Sequence, residues 1–163
     1  MGRRKKQEPI TPVQSIPGFK KGVESSPGHY LILAPDFTII RVSDIFLENT
    51  MTMRGNIVGR NIFDVFPDNP HAPETHGVAN LRASFMRVME RRQIDIVPLI
   101  RYDIPKPRAK GSFEERYWQP VNFPLFDKFG NLNYIVHNSE DVTRQILRKK
   151  DKKPASYKQT EAV

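Results

Sequence analysis

Apolar residues recur along this chain with two distinct periods. From about Gly77 to Arg92 they fall at Val78, Leu81, Phe85 and Val88 or Met89, the stripe of an amphipathic helix. Elsewhere the apolar positions gather in short β-branched and aromatic runs: Tyr30-Leu-Ile-Leu33, Thr38-Ile-Ile-Arg-Val42 and Ile94 to Ile104. The longest run, Phe113 to Phe126, is rich in aromatics, and Leu132-Asn-Tyr-Ile-Val-His-Asn-Ser139 returns from it. The loop between them, Asp127-Lys-Phe-Gly-Asn131, has Gly130 where a positive φ is expected. Alternation puts Arg116, Trp118, Pro120 and Asn122 on one face of the long strand, and Tyr117, Gln119, Val121 and Phe123 on the other.

The residues between these runs read as punctuation. Ala34-Pro-Asp-Phe37 makes a tight hairpin of the first two strands, and Ser43 can cap a helix through Asp44–Thr50. A short helical turn within Asn56–Pro67 ends at Pro67, and a loop dense in Pro and Asp follows to Thr75. A Pro- and Lys-rich turn at Pro105–Gly111 separates the third strand from the long hairpin. At Glu140-Asp141-Val142-Thr143 the pattern switches abruptly to a helical, basic segment. Two strands, several small helices, one longer helix and three strands predict an α+β domain: a five-stranded antiparallel sheet with small helices packed on one face.

Charge changes the picture little once it is located. The 163 residues carry a formal net charge of +8. Residues 1–21 hold six Lys/Arg against one acid and residues 144–163 hold seven against two, so these ends carry +10 and residues 22–143 carry −2. The chain therefore divides into a basic tail over 1–21, expected to be disordered, a folded domain over 22–143, and a short helix with a second disordered basic tail over 144–163. A nucleic-acid binder would show a basic stripe on the folded face, so no specific nucleic acid is expected. Cysteine is absent, which excludes disulfides, thiolate nucleophiles and cysteine-bound metal clusters. No run approaches a transmembrane span and no apolar segment follows the N-terminal charges, so a soluble, cytoplasmic protein without a transmembrane segment is expected.

Candidate chemistry is sparse. Asp141 and Thr143 have no histidine nearby in sequence to complete a nucleophilic relay, and they read better as capping groups that set the entry angle of the outgoing helix. His71, Glu74 and His76 form a loose group in a Pro-rich loop, short of a metal donor set. Neither catalytic nor metal-ligating residues are assigned.

Six segments in order carry a family resemblance: Val42-Ser-Asp44, Gly59-Arg-Asn-Ile-Phe-Asp-Val-Phe-Pro67, Asn80-Leu-Arg-Ala-Ser84, Arg101-Tyr-Asp-Ile104, Arg116-Tyr-Trp-Gln-Pro-Val-Asn122 and Glu140-Asp-Val-Thr143. Over about Val23 to Gln145 the chain resembles a PAS domain, in the subgroup of sensory domains that precede bacterial histidine kinases. Here the sequence ends about 20 residues after Thr143, without a phosphoacceptor helix or ATP-binding boxes. Opening on Met1, it reads as a complete small protein, and phosphotransfer does not carry over.

The resemblance implies a cavity between sheet and helices. A Pro-x-x-Asp-x-x-Gly hairpin like Pro124–Gly130 fixes the register in flavin-binding PAS relatives. By that register Arg116, Trp118 and Asn122 face the cavity. Val97, Leu99 and Arg101 point inward from the third strand, Ile135, His137 and Ser139 from the fifth, and Phe85 forms the opposite wall. A bulge in the third strand would exchange the roles of Arg101 and Tyr102. Arg101, Asn122 and His137 would suit a carboxylate or another polar metabolite, with Trp118 supplying stacking area. The same residues also read as a ligand-free core in which they satisfy one another. The cofactor is unknown: flavin adduct chemistry needs a cysteine, a haem would take its axial histidine from the long helix where only His76 lies near, and reversible flavin binding stays open.

The leading reading is thus a single-domain sensory module in signal transduction. It would bind a small ligand or a protein partner and relay the change through the last strand, Asp141 and Thr143 to the C-terminal helix. A homodimer and a separate histidine kinase, or another signalling protein, are the implied partners. The alternative is an adaptor whose basic tails bind nucleic acid or anionic membrane, with the folded body as scaffold. An enzyme using the cavity ranks last, because no paired carboxylates or activated nucleophile lie in reach.

Overall fold

Tyr30–Leu33 (β1) and Ile39–Val42 (β2) pair antiparallel, Leu31 opposite Val42 and Ile32 opposite Arg41. The computed structural model describes residues 24–151. The expectations for the basic tails at 1–21 and 152–163, and for the first residues of the lead-in at 22–23, lie outside the described residues.

Three short helices follow, Asp44–Thr50 (α1), Arg54–Ile57 (α2) and Ile62–Val65 (α3), then a 3-10 turn at Pro73–Thr75 and the helix Gly77–Arg91 (α4). Ser43 caps α1 as expected: its Oγ accepts from Phe46 N at 3.4 Å and from Tyr30 N at 3.0 Å, tying the helix start to β1. Asn61 caps α3 through Phe63 N. The chain then runs through Asp95–Ile96 (β3), Ile100–Arg101 (β4), Ile104–Pro105 (β5), Phe113–Glu114 (β6), Tyr117–Phe126 (β7), Leu132–Asp141 (β8) and Thr143–Asp151 (α5).

The main sheet has the order β2-β1-β8-β7-β3, with β4 also on β7, and β5 pairs with β6 as a separate ribbon. The expected third strand is therefore one interrupted path. Ile96 pairs with Val121 and Ile100 with Trp118, so four steps on one strand meet three on the other. The extra residue falls at Pro98–Leu99, where proline has no N–H to give the ladder. A one-residue offset reverses every side chain beyond it.

The helices cover one sheet face. Leu81, Phe85 and Val88 of α4 pack with Leu31, Leu33 and Ile135 into the main core, so the predicted helical stripe is buried. Phe85 is wholly enclosed, its ring against Phe37 and Phe63. Burying such a side chain stabilises by about 1.5–3 kcal/mol. A smaller cluster of Ile32, Tyr134 and Val136 lies on the other face. In the loop after β7, Asp127 Oδ1 accepts from the N–H groups of Phe129 and Asn131, and Gly130 takes φ 83°. No helix among the described residues is long and apolar enough to cross a membrane.

Candidate functional site

Between the sheet and the short helices lies a cavity of about 40 Å³. Its sheet wall is Trp118 and Pro120 of β7 with His137 and Ser139 of β8. These strands pair without interruption here, Asn122 opposite His137 and Pro120 opposite Ser139, so alternation sends all four side chains to one face. Phe46 of α1, Phe66 and Leu81 of α4 close the opposite side. Ile100, Tyr102 and Ile104 complete the wall, and they reach it because of the offset at Pro98–Leu99.

Most polar groups on this wall are already engaged. Tyr102 donates its hydroxyl to Phe66 O, and burial pushes that hydroxyl's pKa well up. Trp118 Nε1 donates to Tyr102 O at 2.8 Å, and Thr50 Oγ1 donates to Phe46 O at 2.8 Å. The Ser139 hydroxyl and His137 Nε2 remain, and among the described residues neither has a hydrogen-bond partner. Among the described residues no charged side chain lines the cavity.

Behind His137 runs a directional hydrogen-bond chain. Arg87 on α4 holds Asp95 on β3 by two contacts of 2.8 Å, Nε to Oδ1 and Nη2 to Oδ2. The Arg87 hydrogen bond keeps the Asp95 carboxyl below the usual carboxylate range, against a smaller effect of burial. A carboxylate only accepts, so the single Ser84 proton goes to Asp95 Oδ2 at 2.6 Å. Asn122 Nδ2 then donates to Ser84 Oγ at 2.7 Å, which turns Asn122 Oδ1 towards His137 Nδ1 at 2.7 Å. Nδ1 carries the proton, and the Nε2 lone pair is left for the cavity. Burial pushes the His137 pKa down to about 3, so the ring is neutral. Phe85 meets this ring edge-on at 5.6 Å and Phe46 at 6.3 Å.

The expected cavity residues therefore divide. Trp118, His137 and Ser139 are on the wall, while Asn122 and Phe85 stand directly behind His137. Leu99 is 44% exposed and Arg101 points to the opposite side, so the inward placement of both is corrected by the bulge. Arg101 holds Asp103 through Nε at 2.9 Å and Nη2 at 2.8 Å. Burial pushes the Asp103 carboxyl up, but the hydrogen bonds from Arg101 and Asn69 outweigh it and keep the pKa lowered. Arg116 is also off the wall: it precedes β7 and pairs with Asp141 and, at 2.7 Å, Glu114. Among the described residues the wall thus lacks the cation that a carboxylate would need.

Pro98 is the local sequence signal for the flipped third strand, and so for Ile100, Tyr102 and Ile104. Ser84, Asp95 and Arg87 carry no such signal, because their roles depend on α4 packing over the sheet. Among the described residues no three His, Cys, Asp or Glu side chains cluster as metal ligands.

The cavity wall runs straight into the junction with α5. Asp141 Oδ1 accepts from Thr143 N at 2.9 Å, and Thr143 Oγ1 accepts from Tyr117 N at 2.9 Å. Val142 N donates to Tyr117 O at 2.9 Å, and Arg116 binds the other Asp141 oxygen. Further along α5, Lys150 lies 4.6 Å from the centre of the Tyr117 ring and 3.4 Å from Glu115 Oε1.

No protein-family model and no curated protein sequence matches this chain. Solved structures do. One is the light-oxygen-voltage (LOV) protein of Rhodobacter sphaeroides, at 14% identity over 77% of this chain and 65% of that one, with a TM-score of 0.57. Another is a LOV domain studied with a flavin analogue, at 18% identity over 80% of this chain and 92% of that one, TM-score 0.55. A third is the PAS domain from Bordetella pertussis BvgS, at 19% identity over 81% of this chain and 90% of that one, TM-score 0.50. At these identities the likeness lies in the fold alone: the chain has the PAS fold.

Proposed function

We propose that this chain is a sensory module in signal transduction, in which a small molecule held between sheet and helices biases the position of α5. Residues 22–143 would form the sensing domain and 144–163 the output segment. Trp118, His137 and Ser139 would touch the ligand, and Asn122 and Phe85 would hold His137 in place. A second copy of the chain, or a separate histidine kinase or other signalling protein, would receive the change in α5.

One observation carries this reading. Ser139 on the cavity wall and Asp141 at the helix junction are two residues apart on β8, and Asp141 sits opposite Trp118 in the register. A displacement of β8 at the cavity therefore moves the carboxylate that caps the helix entry. The hydrogen bonds from Tyr117 N to Thr143 and from Arg116 to Asp141 make that entry depend on β7 as well.

The flavin of the LOV domain does not fit this cavity. A cavity of about 150 Å³ serves for a single benzene ring, and this one measures about 40 Å³. An isoalloxazine has three fused rings, and the chain also lacks cysteine.

Hydrogen exchange on the full chain, with and without candidate small molecules, tests the reading. A ligand that protects amides of residues 137–141 should also change exchange in residues 143–151. Protection confined to the cavity strands, with the helix unmoved, would overturn the relay.

A further inference from the structure

The polar chain behind His137 specifies what the cavity accepts, and this step rests on the ligand-sensing reading above. We infer that the cavity takes a small, uncharged, mainly apolar molecule bearing one hydroxyl, a short-chain alcohol, whose O–H donates to His137 Nε2 and whose oxygen meets the Ser139 hydroxyl.

Size is the first argument. A single water needs roughly 10–15 Å³ of such space, so a cavity of about 40 Å³ admits a molecule of about three to four non-hydrogen atoms. Charge is the second. Among the described residues no cation lines the wall, and Arg101 and Arg116, the candidates from the sequence, are committed to Asp103 and Asp141. An anion there would be buried without a partner, and so would a cation. Apolar character is the third: Phe46, Phe66, Leu81 and Ile100 present only hydrocarbon.

The hydroxyl requirement follows from the direction of the hydrogen bonds. Asp95 can only accept, so Ser84 donates to it, Asn122 donates to Ser84, and His137 donates to Asn122. The cavity therefore receives a lone pair and not an N–H from His137. A ligand with an acceptor alone would leave that buried lone pair unmatched, a larger penalty than omitting both partners. Ser139 can donate to the ligand oxygen, so one hydroxyl satisfies both groups, which are neighbours on one face of β8. Asp95 is in this sense a positioning residue. It sits outside the cavity and sets its polarity through two intervening side chains.

The test uses the full chain with ¹⁵N-labelled histidine. Long-range ¹H–¹⁵N spectra should find His137 protonated on Nδ1. Titration with 2-propanol should give a saturable shift of Nε2 in the micromolar-to-millimolar range open to so small a ligand. Acetone, an acceptor of nearly the same shape, should bind roughly tenfold or more weakly, and acetate should not bind. Asp95→Asn lets Ser84 donate in either direction, so His137 should become a mixture of tautomers and the preference for 2-propanol over acetone should shrink. A purely structural role for Asp95 would not move the tautomer. Protonation on Nε2, equal binding of acetone, binding of acetate, or no saturable shift with any alcohol from methanol to butanol overturns the inference. Saturable 2-propanol binding without a change in amide exchange across residues 143–151 leaves the inference standing and removes the relay.

Discussion

Trp118 and Asp141 occupy the same rung of the β7–β8 ladder, so the cavity wall and the cap of the last helix are joined through one strand pair. Trp118 is held inward by its indole N–H on Tyr102 O, and Asp141 is held by Arg116 and the Thr143 N–H. The relay proposed above would need no long pathway, because the cavity wall and the helix junction share a strand pair.

Thr143→Val keeps the shape of the side chain but removes the acceptor for the Tyr117 N–H. The expected cost is about 1 kcal/mol, typical of a lost cap or a single buried hydrogen bond. Amide exchange should speed up across 143–151 while β1 and α4 stay protected. Uniform acceleration across the domain would mean that Thr143 supports the fold as a whole and does not specifically tether the helix.

Arg101→Ala distinguishes the ligand contact expected of this residue from the structural pairing it makes with Asp103. It strands the buried Asp103 carboxylate with Asn69 as its remaining side-chain partner, and the loss should be on the order of 2 kcal/mol in urea unfolding. Alcohol binding measured on the folded variant should be unchanged, since the guanidinium lies off the cavity wall. A loss of affinity without a loss of stability would put Arg101 back in the cavity.

Acid should destabilise the domain earlier than its carboxylates alone allow. His137 is neutral in the fold with a pKa near 3, against an ordinary value of 6.5. Over that interval the unfolded chain binds a proton that the native state refuses. The contribution is full above pH 6.5 and is lost as pH falls towards 3, by at most about 1.4 kcal/mol per pH unit. Asp95 and Asp103, both held below their ordinary value of 3.8, add losses only as pH falls through about that value, below both pH 7 and pH 5. Urea midpoints at pH 7 and pH 5 should therefore differ in the native sequence and converge in His137→Gln. An undiminished difference in the variant would assign the slope to other groups.

Phe85→Ala should be the most damaging single change among these. The ring is fully enclosed between Phe37, Phe63 and His137, and its loss leaves a cavity in the core. The expected cost is about 3–5 kcal/mol, read from the urea midpoint. A cost below 1 kcal/mol would show that α4 collapses freely onto the sheet, contrary to the close packing described.

Much of the fold was legible because its signals are local. A two-residue period tells which side of a strand a residue faces, and it assigned Trp118, His137 and Ser139 to the inner face because β7 and β8 pair without a break there. The Ser43 cap, the Gly130 turn and the Asp141–Thr143 bond depend on groups two or three residues apart, so residue type and spacing sufficed. The third strand did not yield in the same way. Its offset at Pro98–Leu99 exists only against β7, and it moved Leu99 and Arg101 out and brought Ile100 and Tyr102 in. The chain from Asp95 to His137 lies further still from local reading, since its links join residues 11, 38 and 15 positions apart. Periodicity encodes a face but not a partner. The direction of each hydrogen bond, and with it the polarity of the cavity, arose only when α4 packed across the sheet and set one serine between a carboxylate and an amide.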